Sequence, residues 1–158
     1  MDENIKKFIE IYSGLKRTYG YAKMDQVTLS DEGKLRPVYA WSGYPIKEQD
    51  YIDHLNGSKA IGIQPCDDEG KAKFGAIDID DKQHSYKNFP FQKYLDLVVK
   101  YNLPVIPIKS KSGGLHLCVF FKEKVSALFI RNFFDKILMT LGLPSNIEIY
   151  PKETEIAK

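Results

Sequence analysis

The order of apolar patterns in the second half of this chain constrains its fold more than any other feature. Alternating side chains predict strands, and apolar positions repeated every three to four residues predict helices. From Lys73 onward the predicted elements run strand, helix, strand, strand, helix, strand, at 73–79, 91–101, 105–108, 114–121, 126–141 and 146–150. The split βαβ arrangement accommodates this order by packing two helices on one face of a four-stranded antiparallel sheet. The sequence therefore predicts an α+β core whose second sheet face is open.

This element order is that of the ferredoxin-like, or RRM-like, folds, and the residues before it predict an additional layer. Apolar residues recur at helical spacing near the N-terminus, at Ile5, Phe8, Ile9 and Tyr12. Extended and turn-rich patterns follow, so we expect residues 1–65 to form an α/β accessory layer. With 158 residues, 43% of them hydrophobic, the chain suits one globular domain. We therefore expect a single domain over 1–158, with the βαββαβ core at 73–153.

Charge and composition argue against several classes of protein. Lysine and arginine number 23 against 21 acidic residues, a balance that does not by itself indicate a nucleic-acid partner. The two cysteines and three histidines show no zinc-ligand spacing, so neither a zinc site nor a disulfide scaffold is expected. No apolar run approaches the length of a membrane span, and the N-terminus is charged. We expect a soluble, cytoplasmic protein with no membrane partner.

The first strand of the core carries the residues with the most specific chemistry. Side chains alternate along a strand, so Asp78 and Asp80 point to the same face, about 7 Å apart. Ile77 and Ile79 point to the opposite face, toward the core. Adjacent carboxylates repel each other unless a cation lies between them, and hard oxygen ligands suit Mg²⁺ or Mn²⁺. The alternative is an acidic pair on an edge strand that leads into the turn at 81–82.

Two other strands bring further ionisable residues to that face. In the split βαβ arrangement the first and third strands lie side by side, and the fourth flanks the first. Alternation then points His116 and Phe120 of the third strand outward, together with Glu148 of the fourth. We therefore expect one open surface to gather four ionisable groups: Asp78, Asp80, His116 and Glu148. Three acids around one or two divalent cations can hold the attacking and leaving oxygens of a phosphoryl transfer.

The segment before His116 is rich in groups that bind phosphate. Glycines let backbone N–H groups approach a phosphate, serines donate hydrogen bonds, and lysines add positive charge. The segment consists of Lys109, Ser110, Lys111, Ser112, Gly113 and Gly114. An ordinary hairpin turn is the alternative for Ser-Gly-Gly taken alone. Its position beside the acidic pair favours a phosphate-binding turn.

Together these motifs resemble those of a known family. Asp-x-Asp on a strand, Ser-x-Ser-Gly-Gly-x-His about 30 residues later, and a hydrophobic-acid-hydrophobic step resemble the three motifs of archaeo-eukaryotic primases. The likeness is greatest to the primase–polymerase domain of phage, TOTE-conflict-system and CRISPR-associated proteins. The resembling segments are 12–20, 51–57, 61–65, 74–80, 109–117 and 148–153. They span most of the chain and keep the family's order.

The resemblance implies roles for particular residues. Three acids would ligate two catalytic Mg²⁺ or Mn²⁺ ions: Asp78, Asp80 and Glu148. The triphosphate of the incoming nucleotide would be held by Ser110, Ser112 and His116, with backbone room from Gly113 and Gly114 and added charge from Lys111 and Lys152. The implied reaction is attack of a primer 3′-hydroxyl, or of a first nucleotide, on the α-phosphate, with release of pyrophosphate.

The resemblance also implies partners for the domain and the lack of the family's C-terminal part. A DNA template or primer and nucleoside triphosphates would be the substrates, in a prokaryotic or phage-infected cell. A helicase, or further domains of a larger replication or defence protein, would accompany the domain. Members of the family usually continue beyond the step at 148–152, through a Gly-Asn segment that adds strands, whereas this sequence stops at Lys158. We therefore expect the family's C-terminal part to be lacking.

Other functions are compatible with parts of the pattern. The main alternative is a non-catalytic RRM-like module that binds nucleic acid or nucleotide by stacking bases on sheet-face aromatics. The carboxylates beside the third strand argue against it, because they repel phosphates in the absence of metal. A rolling-circle nickase requires a His-hydrophobic-His pair, and only His116 falls on the sheet face. Three further aromatics could either pack in the accessory layer, which we favour, or stack on template bases: Tyr19, Tyr21 and Trp41.

Overall fold

A computed structural model describes residues 2–29, 33, 35–79, 90–110 and 113–156. Four helices are seen in these ranges: α1 (Glu3–Ile11), α2 (Glu48–Leu55), α3 (Phe91–Lys100) and α4 (Ala127–Leu141). Seven strands accompany them: β1 (Gly20–Leu29), β2 (Leu35–Trp41), β3 (Ile61–Gly62), β4 (Lys71–Ile79), β5 (Ile106–Lys109), β6 (Leu115–Ser126) and β7 (Glu148–Tyr150). The fold is therefore mixed α+β, as predicted.

The core is a four-stranded antiparallel sheet of order β5-β6-β4-β7. Its elements follow the chain as β4, α3, β5, β6, α4 and β7, which confirms the βαββαβ, RRM-like prediction. The two longest strands of this sheet, β4 and β6, form its centre. One difference is the length of β6, which ends at Ser126 rather than at 121 because Val125 and Ser126 pair with Ala72 and Lys71.

One face of this sheet packs on the helices to form the hydrophobic core. Its buried strand residues are Ile77, Ile79, Leu115, Leu117, Val119 and Ile149. Helix α4 contributes the largest share opposite them, including Ile130 and Phe134, which are fully buried. The Ser126 hydroxyl caps the start of α4 by accepting from the Phe129 N–H, and Gly142 ends the helix at φ +65°.

Strands β1, β2 and β3 form a smaller antiparallel sheet of order β2-β1-β3. Its packing includes a buried polar network around Asp50, which is 8% exposed. Lys59 Nζ and the Tyr19 hydroxyl both donate to Asp50 Oδ1, the latter at 2.9 Å, and the Lys47 N–H donates to Oδ2 at 2.8 Å. Tyr19 itself is completely buried, so the expectation of core packing is confirmed for this residue. Trp41 differs, because it is 61% exposed on the edge strand β2.

Helix α1 joins the accessory elements to the core sheet. Tyr12, which follows α1, packs edge-on against Phe74 of β4 and Phe120 of β6, with ring centroids 5.3 and 5.5 Å apart. Glu10 pairs with Lys73 at 3.2 Å. The sheet face that the sequence predicted to be open is therefore covered at the Phe74 end. The end that carries Asp78 lies four residues further along β4.

Two buried carboxylates predict how the stability depends on pH. Burial alone would raise the pKa of Asp67, but hydrogen bonds from Lys124 and from the backbone N–H groups of Lys71 and Glu69 lower it below its ordinary 3.8. The pKa of Asp50 is lowered in the same way, against burial, by Lys59 and its other donors. Because the unfolded state binds more protons below pH 3.8, this stabilisation is complete above that pH and is lost as the pH falls further.

We expect Asp67→Asn to lower the free energy of unfolding by about 1–3 kcal/mol at pH 7, because it leaves the Lys124 ammonium without its charged partner. Urea unfolding followed by circular dichroism at pH 7 and pH 3 measures this. The difference between wild type and Asp67→Asn should shrink at pH 3. Equal differences at the two pH values would contradict the assignment. Asp135→Asn, at an exposed position on α4, is the control.

Candidate functional site

The register of the core sheet places three of the predicted site residues in one row. Asp78 on the central strand β4 is directly opposite His116 of β6 on one side and directly opposite Glu148 of β7 on the other. Residues opposite each other across a sheet share a face, so all three side chains lie on the face away from the helices. Asp80, the fourth ionisable residue predicted for this face, lies outside the described residues.

Asp78 and His116 are in direct contact. The His116 Nε2 atom lies 3.2 Å from Asp78 Oδ1, an oxygen that is shielded from solvent. The contact is a close approach of donor and acceptor rather than a well-aligned hydrogen bond. The Asp78 side chain remains 26% exposed and the His116 side chain 39% exposed. Asp78 therefore combines one buried oxygen with a carboxylate that is still reachable from the open face.

Glu148 is held by two side chains from its own end of the chain. The Tyr150 hydroxyl donates to Glu148 Oε2 at 2.9 Å, and Lys152 Nζ donates to Oε1 at 3.1 Å. Lys152 also lies over the Tyr150 ring, 5.1 Å from its centroid. Burial, followed by the hydrogen bond to Glu148, raises the pKa of Tyr150, and the hydrogen bond to Glu148 raises the pKa of Lys152. The predicted nucleotide-binding residue Lys152 is thus adjacent to the acidic row, which consists of Asp78 and Glu148.

The described ends of the predicted phosphate-binding segment are hydrogen-bonded to each other between β5 and β6. The Ser110 N–H donates to the Gly114 carbonyl at 2.9 Å, and the Gly113 N–H donates back to the Ser110 carbonyl at 3.0 Å. Gly113 adopts φ +94°, a conformation that L side chains rarely accept. Ser110 is 8% exposed and Gly114 is buried. These hydrogen bonds hold Ser110 close to Gly113 and Gly114, and Gly114 precedes His116 by two residues. Lys111 and Ser112 lie outside the described residues.

Ala76, Cys118 and Tyr150 form the next row of the open face, between the acidic row and the aromatic cluster. Ala76 of β4 is opposite Cys118 of β6 and Tyr150 of β7. Burial raises the pKa of Cys118 to about 11, so its thiol is neutral at physiological pH. Beyond this row lie Phe74 and Phe120, stacked at 6.4 Å and capped by Tyr12. The face thus changes from charged to apolar over four residues of β4.

A comparison with known protein families agrees with the presence of the acidic row, His116 and the Ser-Gly-Gly segment. The family model for the archaeo-eukaryotic primase domain of TOTE conflict systems matches residues 14–152. The chain belongs to this family. The match covers most of the chain and includes every predicted site residue. A search of curated proteins gave no match. Membership indicates a primase-like nucleotidyltransferase function in general terms.

The donor set of this primase domain fits a hard divalent cation in its chemistry. Asp78 and Glu148 supply carboxylate oxygens from neighbouring strands, the ligands that Mg²⁺ and Mn²⁺ prefer. Within the described ranges, no group of three His, Cys, Asp or Glu side chains is placed to hold a metal. Asp80, which lies outside those ranges, is the further carboxylate that the sequence supplies.

No helix in the described part of the primase domain has the length and apolarity to cross a membrane.

Two residues of the site were missed by the sequence analysis. Tyr150 is two residues after Glu148, so strand alternation alone could have placed its hydroxyl on the same face. Arg131 of α4 donates from Nη1 to the carbonyls of Pro151 and Lys152, at 2.9 and 3.0 Å. No local signal identifies this contact, because it joins positions about 20 residues apart. Arg131 therefore anchors the segment that carries Lys152 to the helical layer.

Proposed function

We propose that this primase domain is a template-directed nucleotidyltransferase that joins nucleoside triphosphates to a nucleic-acid 3′-hydroxyl. The observation that carries the proposal is the alignment of Asp78 between His116 and Glu148 on the open face, with the hydrogen-bonded pair of Ser110 and Gly114 at the adjacent strand ends. We further propose that residues 1–158 act as one catalytic domain on a DNA primer and template, with a helicase or other domains as partners. The family match supports the general activity, and the substrates are our proposal.

Asp78, Asp80 and Glu148 would hold two Mg²⁺ or Mn²⁺ ions. Such ions neutralise the charge of the transferring phosphate and activate the attacking hydroxyl. His116 lies 3.2 Å from Asp78 Oδ1 and would help to position the Asp78 carboxylate toward the substrate. Asp78 and Glu148, which are directly opposite each other on neighbouring strands, would supply carboxylate oxygens to these ions.

The remaining residues would bind and position the nucleotide. Two N–H groups of the predicted phosphate-binding segment already donate to carbonyls of the same segment. The hydroxyls of Ser110 and Ser112 and the ammonium of Lys111 would therefore contact the β- and γ-phosphates. His116 and Lys152 flank the acidic row and would contact the same triphosphate. In the proposed reaction the 3′-hydroxyl loses its proton to solvent and its oxygen forms a bond to the α-phosphorus. The bond between the α-phosphorus and the oxygen that bridges to the β-phosphate breaks, and pyrophosphate leaves. Positioning and charge neutralisation supply the catalysis.

Primer extension tests this function. A labelled DNA primer on a longer template is incubated with the protein and with single deoxynucleoside or ribonucleoside triphosphates, in Mg²⁺, Mn²⁺ or EDTA. We expect extension only with metal and only with the nucleotide complementary to the next template base. Nucleotide binding with no extension in any metal would favour the alternative, a non-catalytic nucleotide-binding module. Extension that ignores the template would contradict template direction.

A further inference from the structure

The carboxylate of Glu148 already has a cation beside it. Lys152 Nζ lies 3.1 Å from Oε1, while the Tyr150 hydroxyl occupies Oε2. The pair is at the surface, with side chains 49% exposed for Lys152 and 54% exposed for Glu148. An ion pair with this exposure is weakly held, because solvent screens its charges. The Lys152 ammonium can therefore leave Glu148 at little cost.

The backbone under this pair is fixed, so only the side chain needs to move. Arg131 holds the carbonyls of Pro151 and Lys152 against α4, and Glu148 is itself part of β7. Lys152 follows Glu148 by four residues and reaches back along the chain to contact it. Rotation of the flexible lysine side chain is then enough to transfer its ammonium from Glu148 to a neighbouring anion.

We infer that Lys152 and a divalent ion compete for the Glu148 carboxylate, and that ligation of the ion by Glu148 moves the Lys152 ammonium onto the nucleotide phosphates. The inference rests on the proposed function, because it takes Glu148 as a metal ligand. Two cations on one carboxylate repel each other, and a divalent ion attracts the carboxylate more strongly than an ammonium does. Lys152 would therefore couple metal binding to triphosphate binding.

The affinities for Mn²⁺ and for a triphosphate distinguish this exchange from a purely structural role for Lys152. Without nucleotide, Lys152→Met should increase the affinity for Mn²⁺ by about fivefold, because the competing charge is gone. With Mn²⁺ present, the same variant should bind a triphosphate about tenfold more weakly, because a charge-assisted contact is lost. A lysine that merely stabilised β7 would weaken both affinities when replaced.

The experiment measures the two affinities separately in the full chain. Electron paramagnetic resonance of free Mn²⁺ gives the metal affinity, and calorimetry with a non-hydrolysable deoxynucleoside triphosphate at saturating Mn²⁺ gives the nucleotide affinity. Lys71→Met is the matched control, since Lys71 is also 49% exposed and also pairs with a glutamate, Glu69, at 2.9 Å. Lys152→Gln replaces Lys152→Met if the latter does not fold. In a Glu148→Gln background, removal of Lys152 should no longer raise Mn²⁺ affinity.

Opposite changes in the two affinities, absent from Lys71→Met, would support the exchange. Equal or weaker Mn²⁺ binding by Lys152→Met than by Lys71→Met would overturn it, even if wild type binds Mn²⁺ and extends primers. Failure of wild type to bind any Mn²⁺ would overturn the proposed metal-dependent function, and the exchange with it. The two failures are therefore distinguishable.

Discussion

Replacing Asp78 with Asn should lower metal-dependent primer extension by about a thousandfold or more while leaving the fold intact. Asparagine has the same shape but no charge, so it would bind a divalent cation weakly in the centre of the acidic row. Loss of several kcal/mol of charge stabilisation in the transition state corresponds to a rate change of this size. Rates are measured with the primer-extension assay under saturating Mn²⁺ and nucleotide.

The design depends on separating the loss of chemistry from the loss of structure. Asp78 is partly exposed and contacts His116, so circular dichroism and the unfolding midpoint should change little in Asp78→Asn. Asp135→Asn makes the same chemical change at an exposed position of α4, on the helical side of the molecule, and should retain wild-type extension. Retention of more than about a tenth of the activity by Asp78→Asn would exclude a central metal-ligand role.

Replacing Gly75 with Ala should destabilise the protein by about 3 kcal/mol or more. Gly75 lies in β4, where a Cβ atom would meet Ile130 Cγ2 at 2.5 Å, the Tyr150 carbonyl oxygen at 2.7 Å and Phe134 Cε2 at 2.9 Å. Such distances are too short for any Cβ contact, and Ile130 and Phe134 are fully buried and cannot move aside. The strand would have to shift relative to α4 and β7. Urea unfolding gives the free-energy difference.

Gly62→Ala is the matched control for this prediction. Gly62 also lies in a strand, β3, but the nearest heavy atom to a Cβ there is the Gly20 carbonyl oxygen at 4.0 Å, an ordinary contact. We expect a change within about 0.5 kcal/mol for this variant. If Gly75→Ala were as stable as Gly62→Ala, the close packing of β4 between α4 and β7 would be wrong. Because β7 carries Glu148, the Gly75 variant should also lose activity when it does fold.

Much of the core was predictable from the sequence because its signals are local. Alternation in 73–79 placed Ile77 and Ile79 inward and Asp78 outward, and the apolar spacing in 126–141 predicted the helix that covers them. Element order then fixed which strands are neighbours, and so brought His116 and Glu148 to either side of Asp78. The position of these three residues followed from period-two alternation and topology alone.

Other features could not be predicted because they depend on contacts between distant positions. The polar run at 122–124 resembles the end of a strand, yet β6 continues to Ser126 through pairing with the start of β4. Tyr12 belongs to an amphipathic pattern that does not say which surface it covers, and it covers the Phe74 end of the open face. The anchoring of Pro151 and Lys152 by Arg131 likewise depends on how α4 crosses β7.

The central claim is that the acidic row binds nucleotide together with a divalent cation. The most direct test is calorimetric titration of deoxynucleoside and ribonucleoside triphosphates into wild type and Asp78→Asn, each with Mn²⁺ and with EDTA. We expect nucleotide binding that requires Mn²⁺ in wild type and is lost in Asp78→Asn, with the tighter-bound sugar identifying the substrate. Nucleotide binding of equal strength in both proteins, or binding unaffected by removal of Mn²⁺, would contradict it.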